Sequence, residues 1–412
     1  MFRYRKYQWE IIDKAVEICT KHNFVYLAME VRTGKTLTSL GIAQALGCRN
    51  VLFVTKKKAI SSIQSDYELL NPSYGFRVIN YESLHKVDHL DYEMIIVDEA
   101  HTLGAFPKPS KRARDVGELI KKYNPYVCLM SGTPTPESYS QMYYQVYGIP
   151  NNPFKEHKSF YKFAREYVNV RQRKINSLYV NDYSNGLKTI LDRMKPYTIS
   201  FTQKEAGFIN EINESILRVT MNDITYTMTS LLKKDRVLEG GEEVILGDTP
   251  AKLMQKLHQL YSGTCKFESG NSQVFDYTKA EFIQDRFRDK KIAIFYKFKA
   301  EYEALKEVFG KKNITQELSV FKDTDCQVIA LQIVSGREGI SLREADALIY
   351  YNIDFSATSY WQSRDRMTTK EREHSKVYWI FSDGGIEKDI YKAVIKKKDY
   401  TVNHFKRDLL SL

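Results

Sequence analysis

Short, continuously apolar runs alternate with helical patterns along the first 130 residues of the chain. Five such runs are rich in Val, Ile and aromatic residues and are bounded by polar or turn residues: 24–28, 51–55, 77–80, 94–97 and 126–130. Each is too short for a globular helix, and unbroken apolarity is typical of strands buried on both faces. Because helical stretches such as 37–46 and 60–69 separate them, these runs predict a doubly wound α/β domain with a parallel sheet.

The second half of the chain repeats this alternation. Its strand-like runs are 291–296, 327–332, 347–351 and 377–381. Its helical patterns cover 300–309 and 386–397. We therefore expect two tandem doubly wound parallel-sheet domains, at 1–150 and 196–412, joined by a helical, basic connector at 151–195. The aromatic residues of the connector recur at near-helical spacing, which predicts that they pack. The segment 201–274 has a mainly helical pattern.

The charge balance narrows the class of partner. Lysine and arginine number 62 against 51 aspartate and glutamate residues, so the net charge is +11. Such an excess favours a polyanion, most simply nucleic acid, although a basic protein without such a partner can have the same composition. The 5 cysteines form no Cys-x-x-Cys pair, which predicts neither a zinc site nor a disulfide framework and indicates a reducing, intracellular location. Without an apolar run of about 18 residues, no membrane span is expected.

The segment 28–36, AMEVRTGKT, follows the first predicted strand and opens a predicted helix. In a phosphate-binding loop at such a place, successive backbone N–H groups and the helix amino terminus form a concave anion site. Thr33 and Gly34 belong to this loop, and Gly34 lets the backbone approach a phosphate without a Cβ. We expect Lys35 to reach the β- and γ-phosphates and the hydroxyl of Thr36 to bind Mg²⁺. Met29 stands where the motif usually has its first glycine.

Two carboxylates follow the strand-like run 94–97. Ligands of open α/β sheets lie at the carboxyl ends of strands, so Asp98 and Glu99 should face the same crevice as Lys35. We expect Asp98 to hold Mg²⁺, directly or through water, and Glu99 to orient and deprotonate an attacking water. An exposed acidic turn is the alternative interpretation, but the two motifs together predict an NTPase.

In this order the motifs resemble those of superfamily-two nucleic-acid motors, and within them the Swi/Snf-like ATPases, especially small phage or bacterial members. The matching segments are 4–8 (adenine-reading segment), 78–82 (motif Ib), 98–101 (motif II), 131–134 (motif III), 291–298 (motif IV), 335–342 (motif V) and 362–366 (motif VI). The resemblance implies two RecA-like domains, ATP and Mg²⁺ as cofactors, and Gln8 as the adenine contact. These motors often lack a glycine at the position of Met29, and His101 is a candidate link between the ATP site and motif III.

Motif VI carries the residues expected to act from the second domain. By the resemblance, Arg366 reaches the γ-phosphate and Gln362 hydrogen-bonds nucleotide or water. A guanidinium there stabilises charge on the transferring phosphoryl group, an effect worth roughly 10³ to 10⁵ in rate. The family usually has a second arginine three residues later, where this chain has Thr369. Either turnover is weaker, or another basic residue substitutes: Lys370, Arg372 or Arg364.

The resemblance favours a motor that hydrolyses ATP between two lobes and translocates on double-stranded DNA without separating its strands. A strand-separating helicase, acting on single-stranded DNA, is one alternative, and a DNA-binding scaffold with a weak ATPase is another. Basic runs at 56–58 and 107–114 and in the connector are candidate contacts to phosphates. We also expect the protein to act in the cytoplasm of a bacterium or bacterial host. An unidentified protein partner is expected to direct it to its target.

Overall fold

The computed structural model describes residues 3–88, 90–175, 178–209, 211–336, 340–369 and 372–396. The chain divides into two compact units, Met1–Phe208 and Ile209–Leu412. Each unit contains a six-stranded parallel sheet with helices packed against it. Both units are RecA-like α/β domains, so the predicted fold class is confirmed.

The first unit has eight strands among its described residues. In chain order they are Phe24–Met29 (β1), Asn50–Thr55 (β2), Gly75–Asn80 (β3), Met94–Val97 (β4), Tyr126–Met130 (β5), Arg171–Ile175 (β6), Leu178–Asp182 (β7) and Thr198–Phe201 (β8). Six of them form one sheet in the order β3-β2-β4-β5-β1-β8, with every neighbouring pair parallel. The other two pair with each other as an antiparallel hairpin.

The described part of the first unit has seven α-helices: Lys6–His22 (α1), Lys35–Ala45 (α2), Ile60–Leu70 (α3), Lys111–Tyr123 (α4), Met142–Val146 (α5), Phe160–Tyr167 (α6) and Thr189–Met194 (α7). Three of them end at a residue that tolerates a left-handed backbone. Asn23, Asn71 and Asn124 terminate α1, α3 and α4 with φ of 60°, 48° and 45°. Asparagine adopts this conformation more readily than most residues, so each helix stops at its asparagine.

Strands β4, β5 and β1 are neighbours in the first sheet, and all three run in the same direction. Nearly all their residues are buried, because apolar clusters cover both faces of the sheet. The carboxyl ends of parallel strands meet at one edge. The segments that follow β1, β4 and β5, which hold the phosphate loop, motif II and motif III, therefore lie together.

The second unit repeats this architecture. Its strands are Glu211–Val219 (β9), Val237–Gly240 (β10), Glu243–Leu246 (β11), Thr264–Lys266 (β12), Ser272–Val274 (β13), Ile292–Tyr296 (β14), Ile314–Thr315 (β15), Val328–Gln332 (β16), Ala347–Tyr350 (β17) and His374–Ser382 (β18). The parallel sheet has the order β15-β16-β14-β17-β18-β9. Two antiparallel hairpins, β10 with β11 and β12 with β13, lie outside it.

Helices flank the second sheet as well. They are Asp223–Asp235 (α8), Pro250–Leu260 (α9), Thr278–Arg286 (α10), Lys299–Phe309 (α11), Leu318–Asp323 (α12), Ile333–Gly336 (α13), Ala357–Ser363 (α14) and Glu387–Val394 (α15). Two apolar clusters form the core of this unit, one of them centred on Trp379, Tyr350 and Tyr360. Within the described ranges of the whole chain, no helix combines the length and the apolarity that a bilayer crossing requires.

The connector 151–195 lies within the first unit. Phe160, Phe163 and Tyr167 of α6 are buried in its core, as their spacing predicts. The connector also contains the hairpin β6–β7, whose polar and basic residues give no strand pattern. Beyond it, β8 pairs with β1 and completes the sheet. The first unit therefore extends to Phe208, whereas the sequence predicts that the first domain ends at 150 and the second begins at 196.

The prediction of a mainly helical segment at 201–274 is wrong for much of its length. The segment does contain α8 and α9, but it also holds β9 and two hairpins. Strand β9 reads EINESILRV and forms one edge of the second sheet, with mostly exposed or half-exposed residues. An edge strand of this kind lacks the unbroken apolarity that identifies central strands.

Candidate functional site

The phosphate loop joins β1 to α2 and contains two residues in the left-handed region of backbone space. Arg32 has φ 64° and Gly34 has φ 84°. A Cβ on Gly34 would also lie 2.6 Å from Nε2 of Gln8, so the position requires glycine for both its conformation and its space. Lys35 and Thr36 then form the first turn of α2, whose amino terminus lies at the loop. This arrangement suits an anion.

Lys35 turns back over the loop that precedes it. Its Nζ donates to the carbonyl oxygen of Met29 at 2.9 Å and to that of Glu30 at 3.3 Å. Thr33 is fully buried and donates its hydroxyl to the same Glu30 carbonyl at 2.7 Å. A Cβ on Gly132 would lie 3.5 Å from the lysine Nζ, so motif III is next to the ammonium. Phosphate oxygens are stronger acceptors than the two carbonyls and can replace them.

Gln8 lies in the first turn of α1 and is 3% exposed. Its Oε1 accepts the backbone N–H of Arg5 at 2.9 Å, which caps the helix. Its Nε2 lies 3.4 Å from the hydroxyl of Thr38 and 3.5 Å from the carbonyl oxygen of Gly34. The side chain is therefore packed against the phosphate loop, and its contact with adenine stays a prediction.

The phosphate loop is also held by the segment 201–203, which we call the brace. The N–H of Glu30 donates to the carbonyl oxygen of Phe201 at 2.9 Å, which continues the pairing of β1 with β8. The Glu30 carboxylate accepts the N–H of Gln203 at 2.7 Å, and the Gln203 side chain donates to the carbonyl oxygen of Val31 at 3.0 Å. Tyr7 stacks on Phe201 with 4.7 Å between ring centres. Sequence reasoning missed the brace because no local motif marks it.

Asp98 is held at the end of β4 by three neighbours. Its N–H donates to the carbonyl oxygen of Val54 at 2.9 Å, which continues the sheet by one bond. Its Oδ2 accepts the hydroxyl of Thr55 at 2.9 Å, and its carbonyl oxygen accepts the hydroxyl of Tyr81. Thr55 is the last residue of β2, and Tyr81 is the first residue after β3. The strands β2 and β3 therefore fix both the carboxylate and the backbone of Asp98.

Glu99 has φ 51°, which is uncommon for a residue with a side chain. The turn brings its Oε2 to 3.2 Å from Nδ1 of His101. The same ring nitrogen lies 2.9 Å from Oγ of Ser131, in motif III. One imidazole nitrogen thus contacts a carboxylate of motif II and a hydroxyl of motif III, which is the contact that the predicted linking role of His101 requires.

The two adjacent carboxylates have opposite electrostatic surroundings. Burial, together with the charge of Glu99, raises the pKa of Asp98 to about 6. Burial also opposes ionisation of Glu99, but the hydrogen bond and charge of His101, assisted by Lys35 and Lys56, lower the pKa of Glu99 to about 2. Of the two carboxyl groups, Glu99 therefore loses its proton more easily than Asp98.

In the second unit, motif VI begins on α14 and continues in the 3₁₀ turn Arg364–Met367. Gln362 is 4% exposed and Arg366 is 8% exposed. The Arg366 guanidinium donates to the carbonyl oxygen of Gln362 at 3.0 Å and to that of Ile340 at 3.4 Å. The structure thus brings the two predicted residues together beside motif V. Arg337, also in motif V, lies outside the described residues.

Two of the three basic residues considered as substitutes at Thr369 have other contacts. Arg364 donates to Oε1 of Glu214 at 2.9 Å, and its guanidinium lies 4.3 Å from the ring centre of Trp361. Arg372 donates to two backbone carbonyls just before β17, each at 2.9 Å. Lys370 lies outside the described residues. Both arginines thus serve the folding of their own unit.

Helix α4 and the segment 144–158 line an open groove of about 720 Å³ on the first unit, which we call the basic groove. Its charged lining residues are four cations and one carboxylate: Arg114, Lys121, Lys155, Lys158 and Glu118. A Cβ on Gly148 would lie 2.8 Å from Cα of Gly117, so the two walls approach closely at backbone level. Two basic runs that are distant in sequence, 107–114 and the connector, meet in this groove.

Comparisons with known proteins give a family match and similarities to solved structures, of which two are reported. Residues 1–74, which include the adenine-reading segment and the phosphate loop, match the family model described as Type III restriction enzyme, res subunit. The chain is similar to the Sulfolobus solfataricus SWI2/SNF2 ATPase core in complex with dsDNA, at 14% identity and a TM-score of 0.43, covering 100% of this chain and 93% of that one. It is also similar to the Sulfolobus solfataricus SWI2/SNF2 ATPase core domain, at 15% identity and a TM-score of 0.41, covering 100% and 90%. No curated protein matches the sequence. The order of the motifs in this chain is similar to that of the superfamily-two, Swi/Snf-like ATPases.

Proposed function

We propose that this protein is an ATP-driven nucleic-acid motor, most simply a translocase on double-stranded DNA. The observation that carries the proposal is the cluster at one sheet edge of the first unit. There Lys35 lies beside motif III, and His101 contacts both Glu99 and Ser131. An anion site, a charged base and a link to the next motif are the parts that phosphoryl transfer to water requires.

Each residue of this cluster has a distinct task in the proposed reaction. The loop N–H groups and the start of α2 bind phosphate oxygens, and Lys35 exchanges its two carbonyl partners for the β- and γ-phosphates. Glu99 stays ionised near neutral pH because its pKa is lowered to about 2. It orients the attacking water and accepts its proton. We assign the contact with adenine to Gln8, which packs on the loop.

The donor set suits Mg²⁺. The Asp98 carboxylate and the Thr36 hydroxyl are oxygen ligands, which this cation prefers. The raised pKa of Asp98 reflects two adjacent buried carboxylates whose charge a divalent cation would compensate. When bound, Mg²⁺ would neutralise charge on the phosphate oxygens.

Motif VI of the second unit supplies the proposed finger. Arg366 donates to two carbonyl oxygens, both weaker acceptors than a γ-phosphate. We assign Arg366 the stabilisation of charge on the transferring group and Gln362 a hydrogen bond to nucleotide or water. Replacing Arg366 by alanine should lower turnover by about 10³-fold. Arg343→Ala, which removes an exposed arginine paired with its neighbour Glu344, is the matched control.

The basic groove supports a nucleic-acid partner. Its four cations outnumber its one carboxylate, and the whole chain carries a charge of +11. Contacts of this kind bind phosphates without reading sequence, which a motor that moves along a polymer requires. Binding should weaken steeply with salt, because counterions are released from the polymer. Changing Arg114 and Lys121 to glutamate should reduce both the affinity and its salt dependence.

The deciding experiment measures ATP turnover with single-stranded DNA, double-stranded DNA and RNA. Lys35→Ala should abolish turnover, and Glu99→Gln should lower it by about 10²- to 10⁴-fold. Lys14→Ala and Glu17→Gln, at exposed positions of α1, are the matched controls and should retain full turnover. A wild-type protein that none of these polymers stimulates would favour a DNA-binding scaffold with a weak ATPase.

A second candidate function is strand separation, which the hairpin β6–β7 favours. Its Tyr179 is 70% exposed, and an exposed aromatic side chain on a β-hairpin can stack on a base. Displacement of a triplex-forming strand without unwinding supports translocation. Efficient unwinding of a forked duplex, lost in Tyr179→Ala, supports a helicase.

A further inference from the structure

Tyr81 connects the surface of the first unit to the backbone of Asp98. It follows β3, in the segment that resembles motif Ib, and its side chain is 1% exposed. Its hydroxyl donates to the carbonyl oxygen of Asp98. Because this bond reaches the residue that would hold Mg²⁺, any displacement of the tyrosine ring changes the placement of that residue.

The outer face of the same ring is covered by Arg112, from the first turn of α4. The guanidinium carbon lies 5.2 Å from the ring centre of Tyr81. Arg112 also donates to Oε1 of Glu82 at 2.5 Å, and the Asn80 side chain donates to the other carboxylate oxygen at 3.0 Å. The side chains of Arg112 and Glu82 are 40% and 58% exposed, so the pair faces solvent.

An exposed pair of this kind is readily exchanged for a stronger partner. Solvent-exposed ion pairs and exposed cation–π contacts contribute little to stability, because water screens the charges. A phosphodiester offers Arg112 a charge-assisted and often bidentate bond. Arg112 belongs to the basic run 107–114, which is a candidate for contacting phosphates. A polynucleotide bound there would therefore draw Arg112 away from Glu82 and uncover the Tyr81 ring.

We propose that Tyr81 is a positioning residue that couples phosphate capture by Arg112 to the placement of Asp98. The inference rests on the proposed function, since it requires a polynucleotide that stimulates ATP turnover. Without polymer, Arg112 pairs with Glu82 and lies over the Tyr81 ring. With polymer, Arg112 binds a phosphate, and the hydroxyl of Tyr81 transmits the change to the Asp98 carbonyl. Arg112 contacts the polymer, and Tyr81 acts only through its neighbours.

The test removes the one oxygen atom on which the coupling depends. In Tyr81→Phe, the ratio of turnover with saturating duplex DNA to turnover without DNA should fall about 3- to 10-fold, the range expected for one hydrogen bond. The Mg²⁺ concentration that gives half of the stimulated rate should rise by a similar factor, because the Asp98 backbone loses one of the contacts that fix it. The affinity for DNA, measured by fluorescence anisotropy without nucleotide, should change less than about twofold, since Arg112 is intact.

The matched control is Tyr74→Phe. Tyr74 is 3% exposed and donates its hydroxyl to the carbonyl oxygen of Leu40 at 2.9 Å, away from Asp98. It should leave the stimulation ratio and the Mg²⁺ requirement unchanged. Arg112→Ala should weaken DNA binding and also lower the ratio. The double variant Tyr81→Phe with Arg112→Ala should lower the ratio no further than the larger single loss, because both changes interrupt one connection.

Three outcomes overturn the inference, and they can be told apart. If DNA stimulates the wild type but Tyr81→Phe behaves like Tyr74→Phe, the coupling is refuted and the proposed function stands. If Tyr81→Phe lowers turnover with and without DNA by the same factor, the tyrosine only supports the fold. If no polymer stimulates the wild type, the proposed function and the coupling fail together.

Discussion

Removing the side chain of Gln203 tests whether the brace prepares the phosphate loop for its ligand. The change Gln203→Ala deletes the 3.0 Å bond to the carbonyl oxygen of Val31, next to Arg32 at φ 64°. A neutral hydrogen bond contributes about 0.5–1.5 kcal/mol net, which corresponds to a factor of about 2 to 12 in an equilibrium. Because the loop must already be in this conformation to receive phosphates, the loss should appear in nucleotide binding. The KM for ATP should rise about 2- to 12-fold, with kcat within about twofold of the wild type.

Steady-state kinetics and a direct nucleotide titration measure this effect. The control is Gln284→Ala, which removes a comparable bond, of 2.7 Å, from a glutamine side chain to the carbonyl oxygen of Val308 in the second unit. Equal KM values for the two variants would refute the idea that the brace positions the loop. A fall in kcat alone would show that the brace serves the chemical step instead.

Three further changes test other parts of the structure. In Gly34→Ala the residue must keep φ near 84°, which costs about 1–2 kcal/mol, so nucleotide binding in a fluorescence titration should weaken about 5- to 30-fold. An unchanged affinity would contradict the backbone argument. Ser131→Ala removes the hydroxyl that lies 2.9 Å from Nδ1 of His101, and it should lower DNA-stimulated turnover about 3- to 10-fold with nucleotide affinity preserved. Adding His101→Ala to this variant should lower turnover little further. Losses that multiply independently would argue against a shared link. Burial and two neighbouring lysine charges lower the pKa of His258 well below 6.5, so the folded state keeps its ring neutral while the unfolded chain binds a proton below about pH 6.5. The wild type should therefore lose up to about 1.4 kcal/mol of stability per pH unit below that value. His258→Phe should be less sensitive in denaturant unfolding, and identical pH profiles would contradict this account.

The central strands were predictable because burial on both faces of the sheet requires an unbroken run of apolar residues. The runs 94–97 and 126–130 form strands with the predicted bounds, as β4 and β5. Strand β9 was not predicted, because it lies at the edge of its sheet and its sequence mixes exposed polar residues with apolar ones. Strand β8 was missed because it is short, with only Ile199 buried among its four residues. Sequence patterns thus identified the central strands of both sheets and the edge strand β3, and they missed the edge strands β8, β9 and β15.

The same distinction applies to the candidate site. Gly34, Lys35, Asp98 and Glu99 belong to short motifs, so the sequence identifies them and the alternation of elements predicts that they share a sheet edge. Gln203 comes from a segment 173 positions after Glu30, and nothing local marks it. The contact of Tyr81 with the Asp98 carbonyl likewise depends on the order of strands in the sheet, which the motifs alone do not specify.

The place of β8 beside β1 sets a practical limit on how the first unit can be isolated. A fragment truncated at residue 195 would lack this outer strand and leave the backbone of β1 open along 26–29. An unpaired, apolar edge invites association between copies, so such a fragment should aggregate on expression. A fragment ending at Phe208 keeps β8, which is short and has a single buried residue, as the edge strand on that side and should remain monomeric in light scattering.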